Sequence, residues 1–156
     1  MNGGIFLNFN ESTTCNNNYL PKLILDLEEY IQSELQDSAF YEELSAIAPT
    51  GISSELLLEF SDDEKIHAES LQTIYSKLKG RSYTPKPLLP VQINDFTQAL
   101  IQRIEVETRD YKKYGKHYLD APTNDLQDLF FSIRDIEAQH AMRIPILLED
   151  LRDRVK

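Results

Sequence analysis

The chain has 156 residues, 41% of them hydrophobic, enough for one globular domain with a proper core and too few for two. A formal charge of -10 argues against a nucleic-acid or anionic-membrane partner, since either needs basic surface. Cys15 is the single cysteine, so neither an intrachain disulfide nor a cysteine-rich metal site is available, and a cytoplasmic setting is expected.

Residues 1–19 are rich in Asn, Thr and Gly without a sustained period and read as a flexible arm. This opening lacks a basic start and a long apolar stretch, and no apolar run in the chain reaches the ~18 residues of a membrane span. A first helix is expected to begin near Pro21, a favoured first-turn residue, with an inward stripe of Leu23, Leu27, Ile31, Glu34, Ser38, Tyr41 and Ser45. After Pro49-Thr50-Gly51 a second runs from about Ser54 to Lys79, its stripe Leu57, Phe60, Glu64, His67, Leu71, Ile74 and Leu78, and Gly80 stops it.

The third, from about Asn94 to Leu119, presents Phe96, Leu100, Ile104, Glu107, Tyr111, Tyr114 and Tyr118. A fourth, from about Asn124 to Arg154, presents Leu126, Phe130, Ile133, Glu137, His140, Ile144, Leu147 and Leu151, with Pro145 set to bend or break it one turn past His140. Four such helices imply an all-α antiparallel four-helix bundle at residues 20–156. Short loops make hairpins of residues 20–79 and 95–154. The segment 80–94 carries Pro85, Pro87 and Pro90 and extends to roughly 50 Å, enough to run the ~37 Å length of a helix as a crossover.

Two copies of Glu-x-x-His, Glu64 with His67 and Glu137 with His140, lie at one offset of 73 residues (137 − 64 and 140 − 67). The same shift maps Glu34 onto Glu107, Asp37 onto Asp110, Tyr41 onto Tyr114, Ala68 onto Ala141, and Pro49-Thr50 onto Pro122-Thr123. The chain therefore reads as a duplicated helical hairpin. Three residues of helix rise about 4.5 Å and turn about 300°, so the Glu and His of each motif leave one face together.

Four carboxylates in a bundle core would not stay ionised uncompensated, whereas two divalent cations would cancel their charge. Glu34, Glu64, His67, Glu107, Glu137 and His140 are the expected ligands, a set that suits iron or manganese and also admits zinc. Glu105 is the rival on the third helix; it lies about 200° from Glu107, on a line that reads as an outer face. Tyr41 and Tyr114, two turns beyond Glu34 and Glu107, are placed to orient ligand carboxylates or simply to fill the core. Asp37 and Asp110 read as surface acids that could also reach the ligands, and His117 as a surface or boundary residue.

With these six residues, the chain from about 20 to 152 resembles the ferritin-like superfamily, specifically rubrerythrin-like and bacterioferritin-like di-iron proteins. The run Asp63-Glu64-Lys65-Ile66-His67-Ala68-Glu69 is similar to their second-helix motif. The resemblance implies an oxidoreductase that reduces peroxide or O2, or alternatively a ferroxidase for iron storage. One cysteine leaves no rubredoxin domain in this sequence, so the resemblance implies an external electron-donor protein and a homodimer or small oligomer. Rubrerythrins use an extra third-helix Glu, for which Asp110 is the nearest counterpart and a shorter one. Bacterioferritins bind haem through a Met following the second-helix Glu; Lys65 occupies that position, so no haem is expected.

Overall fold

The computed structural model describes residues 19–152, in which four helices are the only regular elements: α1 Tyr19–Ala46, α2 Gly51–Lys79, α3 Phe96–Asp120 and α4 Asn124–Arg152. The arm expected at residues 1–19 lies outside the described residues except for Tyr19, which opens α1. Pro21 falls in the first turn of α1, where its missing N–H costs nothing.

Thr50 caps α2 by accepting the Ser53 N–H at 2.8 Å, and its repeat counterpart Thr123 stands before α4, its carbonyl taking the Gln127 N–H at 3.0 Å. Asp95 caps α3 through the Gln98 N–H at 2.7 Å. Gly80 ends α2 in the left-handed region, φ 71°, with its N–H on the Ser76 carbonyl, a conformation that favours glycine. α4 runs through Pro145 without a break. Pro145 stands on the exposed face, so the carbonyl it deprives of a donor lies on the side open to water.

α1 packs against α2 and α3 against α4, the two hairpins read from the sequence. Across the bundle α1 and α3 run antiparallel: Asp37 meets Arg103, while Tyr30, earlier in α1, meets His117, later in α3. α2 and α4 are antiparallel by the same logic, with Glu59 on Arg143 and Asp63 on His140. This is the ferritin-like arrangement, which requires a crossover that climbs the bundle.

Two glutamines hold that crossover. Gln32 takes the Lys86 N–H and donates to its carbonyl, and Gln36, one turn on, does the same for Leu89. The extended segment thus runs parallel to α1, its backbone groups satisfied by side chains in place of a sheet.

Two apolar clusters fill the interior. One joins Leu23, Leu27, Ile31, Leu71, Ile74, Phe130 and Ile133; the other joins Leu44, Leu57, Phe60, Leu100, Ile144 and Leu147. Between these two groups along every helix falls a layer of buried polar residues, as the interrupted stripes predict. No helix among the described residues is long and apolar enough to cross a membrane.

Candidate metal centre

Each helix delivers its polar residue to this layer from within an apolar stripe. Glu34 comes from α1, Glu64 and His67 from α2, Glu107 from α3, Glu137 and His140 from α4, and none is more than 4% exposed. Their ligand-capable atoms form two overlapping sets, Glu34, Glu64, His67 and Glu137 in one, and Glu64, Glu107, Glu137 and His140 in the other, with the atoms of each set within 4.8 Å of one another. Glu64 and Glu137 belong to both. Of the two third-helix candidates, Glu107 is buried in this layer and Glu105 is exposed.

The two imidazoles turn Nδ1 inward. His67 Nδ1 lies 3.1 Å from Glu64, 3.2 Å from Glu137 and 3.6 Å from Glu34; His140 Nδ1 lies 3.3 Å from Glu64, 3.4 Å from Glu107 and 3.9 Å from Glu137. Ligand atoms about 2.1 Å from a shared ion stand about 3.0–3.4 Å apart at octahedral or tetrahedral edges, so this spacing is close to that of a coordination shell. Glu64 Oε1, Glu107 Oε2, Glu137 Oε1 and His140 Nδ1 are buried without a hydrogen bond. Buried polar atoms are ordinarily satisfied, and four orphans converging on one layer fit a cation as the missing partner.

Without a cation, protons carry the balance. Burial alone would lower the His67 pKa, but the carboxylates of Glu137, Glu34 and Glu64 around the ring push it up to about 12. His140 is likewise lowered by burial and then raised to about 11 by Asp63, Glu107 and Glu64. Burial and the charge of Glu64 hold Glu137 well above the usual carboxylate range, and burial raises Glu34 against the pull of His67. Glu107 goes the other way: burial would raise it, but the Arg103 charge and His140 hold it well below that range. Glu64 is also lowered, burial being outweighed by the two histidines beside its carboxylate.

The tyrosines cross between hairpins. Tyr41 of α1 donates to Glu107 of α3 at 2.5 Å, and Tyr114 of α3 donates to Glu34 of α1. Each occupies Oε1 of its carboxylate, leaving Oε2 facing the centre. The repeat predicts the pair but not the exchange, because periodicity says nothing about which helix lies opposite.

Three supporting residues escaped the sequence reading. Arg103, buried on α3, sends its guanidinium to Glu107 and Asp37, each at 2.5 Å, and to the Tyr41 hydroxyl at 3.1 Å. Lys113 reaches Asp110 at 3.1 Å and Glu34 at 3.6 Å. Asp63 accepts from His140 Nε2 at 3.0 Å, fixing the outer edge of that ring. Asp110, expected mainly as a surface acid, is buried at 4% exposure beside Lys113, Asp37 is half-buried against Arg103, and both stand outside the ligand-capable sets. The inner line of α3 is Leu100, Arg103, Glu107, Asp110 and Tyr114, so Arg103 displaces the expected Ile104. Its alternating steps of three and four were a usable signal, obscured because a cation is not sought in a core.

A helical bundle whose interior holds paired carboxylate and histidine sets is a ferritin-like protein with a site compatible with two metal ions. The Rubrerythrin family model matches residues 27–148, from the core of α1 to the last turns of α4. The chain belongs to the rubrerythrin family. A comparison with curated proteins found no match.

Proposed function

We propose that this protein is a non-haem di-metal oxidoreductase, with iron the leading metal and manganese the second, that reduces peroxide or O2 in the cytoplasm using electrons from an external donor protein. The observation that carries the reading is the pair of overlapping ligand sets sharing Glu64 and Glu137, with their orphaned buried atoms. One ion would be held by Glu34 and His67, the other by Glu107 and His140, with Glu64 and Glu137 available to both. Two redox-active ions bound there supply the two electrons that convert a peroxide to water.

The protein's own residues set the conditions for that chemistry. Tyr41 and Tyr114 fix one oxygen of each terminal carboxylate, so Glu107 and Glu34 each present the other oxygen to the centre. Asp63 keeps His140 turned with Nδ1 inward. The apolar clusters on either side exclude bulk water, which strengthens every charge interaction in the layer. Protons that His67, His140 and Glu137 hold in the metal-free protein are displaced on loading. The expected assembly is a homodimer or small oligomer.

Metal analysis of anaerobically purified protein, followed by rapid mixing of the Fe(II) form with peroxide and with O2 separately, tests the reading. Two ions per chain and rapid oxidation by either oxidant are expected. A chain that binds no metal, or a loaded chain inert to both, would sink it; elution as a 24-subunit shell laying down mineral would replace it with iron storage.

A further inference from the structure

Beyond Tyr114 the Glu34 side of the centre continues outward through residues that the centre itself does not use. The Tyr114 ring meets Tyr30 edge-on, centroids 5.5 Å apart, and no hydrogen bond joins the two. The Tyr30 hydroxyl lies 2.9 Å from Nε2 of His117, and the Tyr19 hydroxyl 3.2 Å from its Nδ1, so both imidazole nitrogens face tyrosine hydroxyls. Phe130 stacks on the imidazole at 4.7 Å, and Tyr30, His117 and Tyr19 are all only partly buried, so the series climbs from the core to the surface.

The other side has no such series, although the repeat would allow one. At the position of Tyr30 it carries Arg103 (30 + 73), and at the position of His117 it carries Leu44 (117 − 73). A buried guanidinium and a leucine close that side, since neither gives up an electron readily and leucine cannot take a proton.

We propose that Tyr114, Tyr30 and His117 form a one-electron relay between the di-metal centre and the protein surface at Tyr19, with Tyr30 the residue that is oxidised and His117 the base that takes its proton. The proposal rests on the di-metal reading and adds the route by which a single missing electron is supplied. Lys113 stands over both rings, 4.3 Å from the centroid of Tyr114 and 4.7 Å from that of Tyr30. A cation there penalises a positively charged ring, so a tyrosine can lose an electron only as it loses its proton. Tyr30 has a neutral imidazole in place to receive one: burial lowers the His117 pKa, with Asp26 partly opposing. At the Tyr114–Tyr30 step ring contact lets an electron cross while no hydrogen bond lets a proton follow.

The step is needed when peroxide meets a centre with one ion already oxidised. Peroxide then takes one electron from the remaining divalent ion and one from Tyr30 through Tyr114. The O–O bond opens and two protons from solvent complete two waters. The Tyr30 O–H bond breaks, leaving a neutral tyrosyl radical and a His117 imidazolium. A one-electron reductant at the surface restores Tyr30, and the proton returns from Nε2.

Freeze-quenched electron paramagnetic resonance tests this on protein first oxidised by one electron per centre and then mixed with peroxide. A tyrosyl signal is expected in the parent, narrowed by ring-deuterated tyrosine and absent in Tyr30→Phe. It should be strongly diminished in His117→Leu, which has no base for the Tyr30 proton, and be unchanged in Tyr111→Phe, a tyrosine that faces Arg134 away from the relay. An undiminished signal in Tyr30→Phe, or no radical in parent protein that binds two metal ions, overturns the relay and leaves the di-metal reading standing. A chain that binds no metal overturns both.

Discussion

The two sides of the centre offer the same ligands and differ in what stands behind them. Glu34 and His67 on one side, Glu107 and His140 on the other, are related by the repeat, and each terminal carboxylate receives a tyrosine from the opposite hairpin. Behind Glu107 lies a buried arginine, while behind Glu34 lies a lysine with a 19%-exposed side chain. Behind His140 stands Asp63; the repeat counterpart of Asp63 is Ile136 (63 + 73), so His67 has no matching carboxylate at its outer edge. Duplication has preserved the six candidate ligands and the tyrosine on each terminal carboxylate, while the cations behind those carboxylates and the aspartate behind His140 differ between the halves. The Glu107 side is rigidly charged and closed, whereas the Glu34 side is looser and leads outward.

The broadest break in this comparison removes the shared framework. Replacing both histidines, His67→Ala with His140→Ala, should abolish binding of both ions, measured as metal per chain after loading and desalting; retention of two ions would mean the site lies elsewhere. Next in size is the contrast between cations. Arg103→Leu strands Glu107 and Asp37 in the core and should cost the metal-free protein about 3–5 kcal/mol by chemical denaturation. Lys113→Met, removing a partly solvated ammonium, should cost about 1 kcal/mol or less. Equal losses would erase the asymmetry.

How much of this was legible from sequence follows the same division. Glu34, Glu107 and the two Glu-x-x-His pairs were found because carboxylates in apolar stripes violate a pattern that everything around them obeys, and because one offset relates them. The hairpins and crossover followed from loop lengths. Arg103 and Asp63 were not found, since their meaning lies across an interface: Arg103 matters through Asp37 and Tyr41 of α1, and Asp63 through His140 of α4. Repeat comparison could not help, because neither residue is duplicated. Of the bend or break expected at Pro145, a break does not occur: α4 continues through it, and the residue stands on the exposed face.

Titration sharpens the comparison between the loaded and metal-free states. In the metal-free protein His67 and His140 bind protons up to about 12 and about 11, against about 6.5 unfolded. Groups raised in the folded state contribute stability that is complete below the unfolded pKa and is lost as pH rises toward the folded one. Metal-free protein should therefore lose roughly 1.4 kcal/mol per pH unit for each such proton above neutrality. Glu107, held low, acts oppositely and only in acid: its contribution is present above the usual carboxylate range and lost as pH falls through its depressed pKa. In loaded protein both histidines are neutral, Nδ1 free of its proton and Nε2–H retained, so stability should be flat between pH 7 and 9 by thermal melting, since about 6.5 is the unfolded pKa there too. Parallel curves for the two forms would contradict the assignment of both imidazoles as ligands.

The effect confined to a single binding step is the most specific to the asymmetry. A carboxylate on the outer nitrogen of a ligand histidine fixes the ring and raises its basicity, and losing one costs about 10–100-fold in metal affinity. Asp63→Leu should thus weaken one of two binding steps by about that factor in calorimetric titration, leaving the other unchanged, because only His140 contacts it. The reverse substitution is the stronger test. Ile136→Asp places a carboxylate at the repeat position of Asp63, and if the sides differ only in their support, it should tighten the step assigned to His67 and bring the two affinities together. Tightening of the His140 step instead would show that the two-fold relation read from the sequence does not extend beyond the ligands themselves.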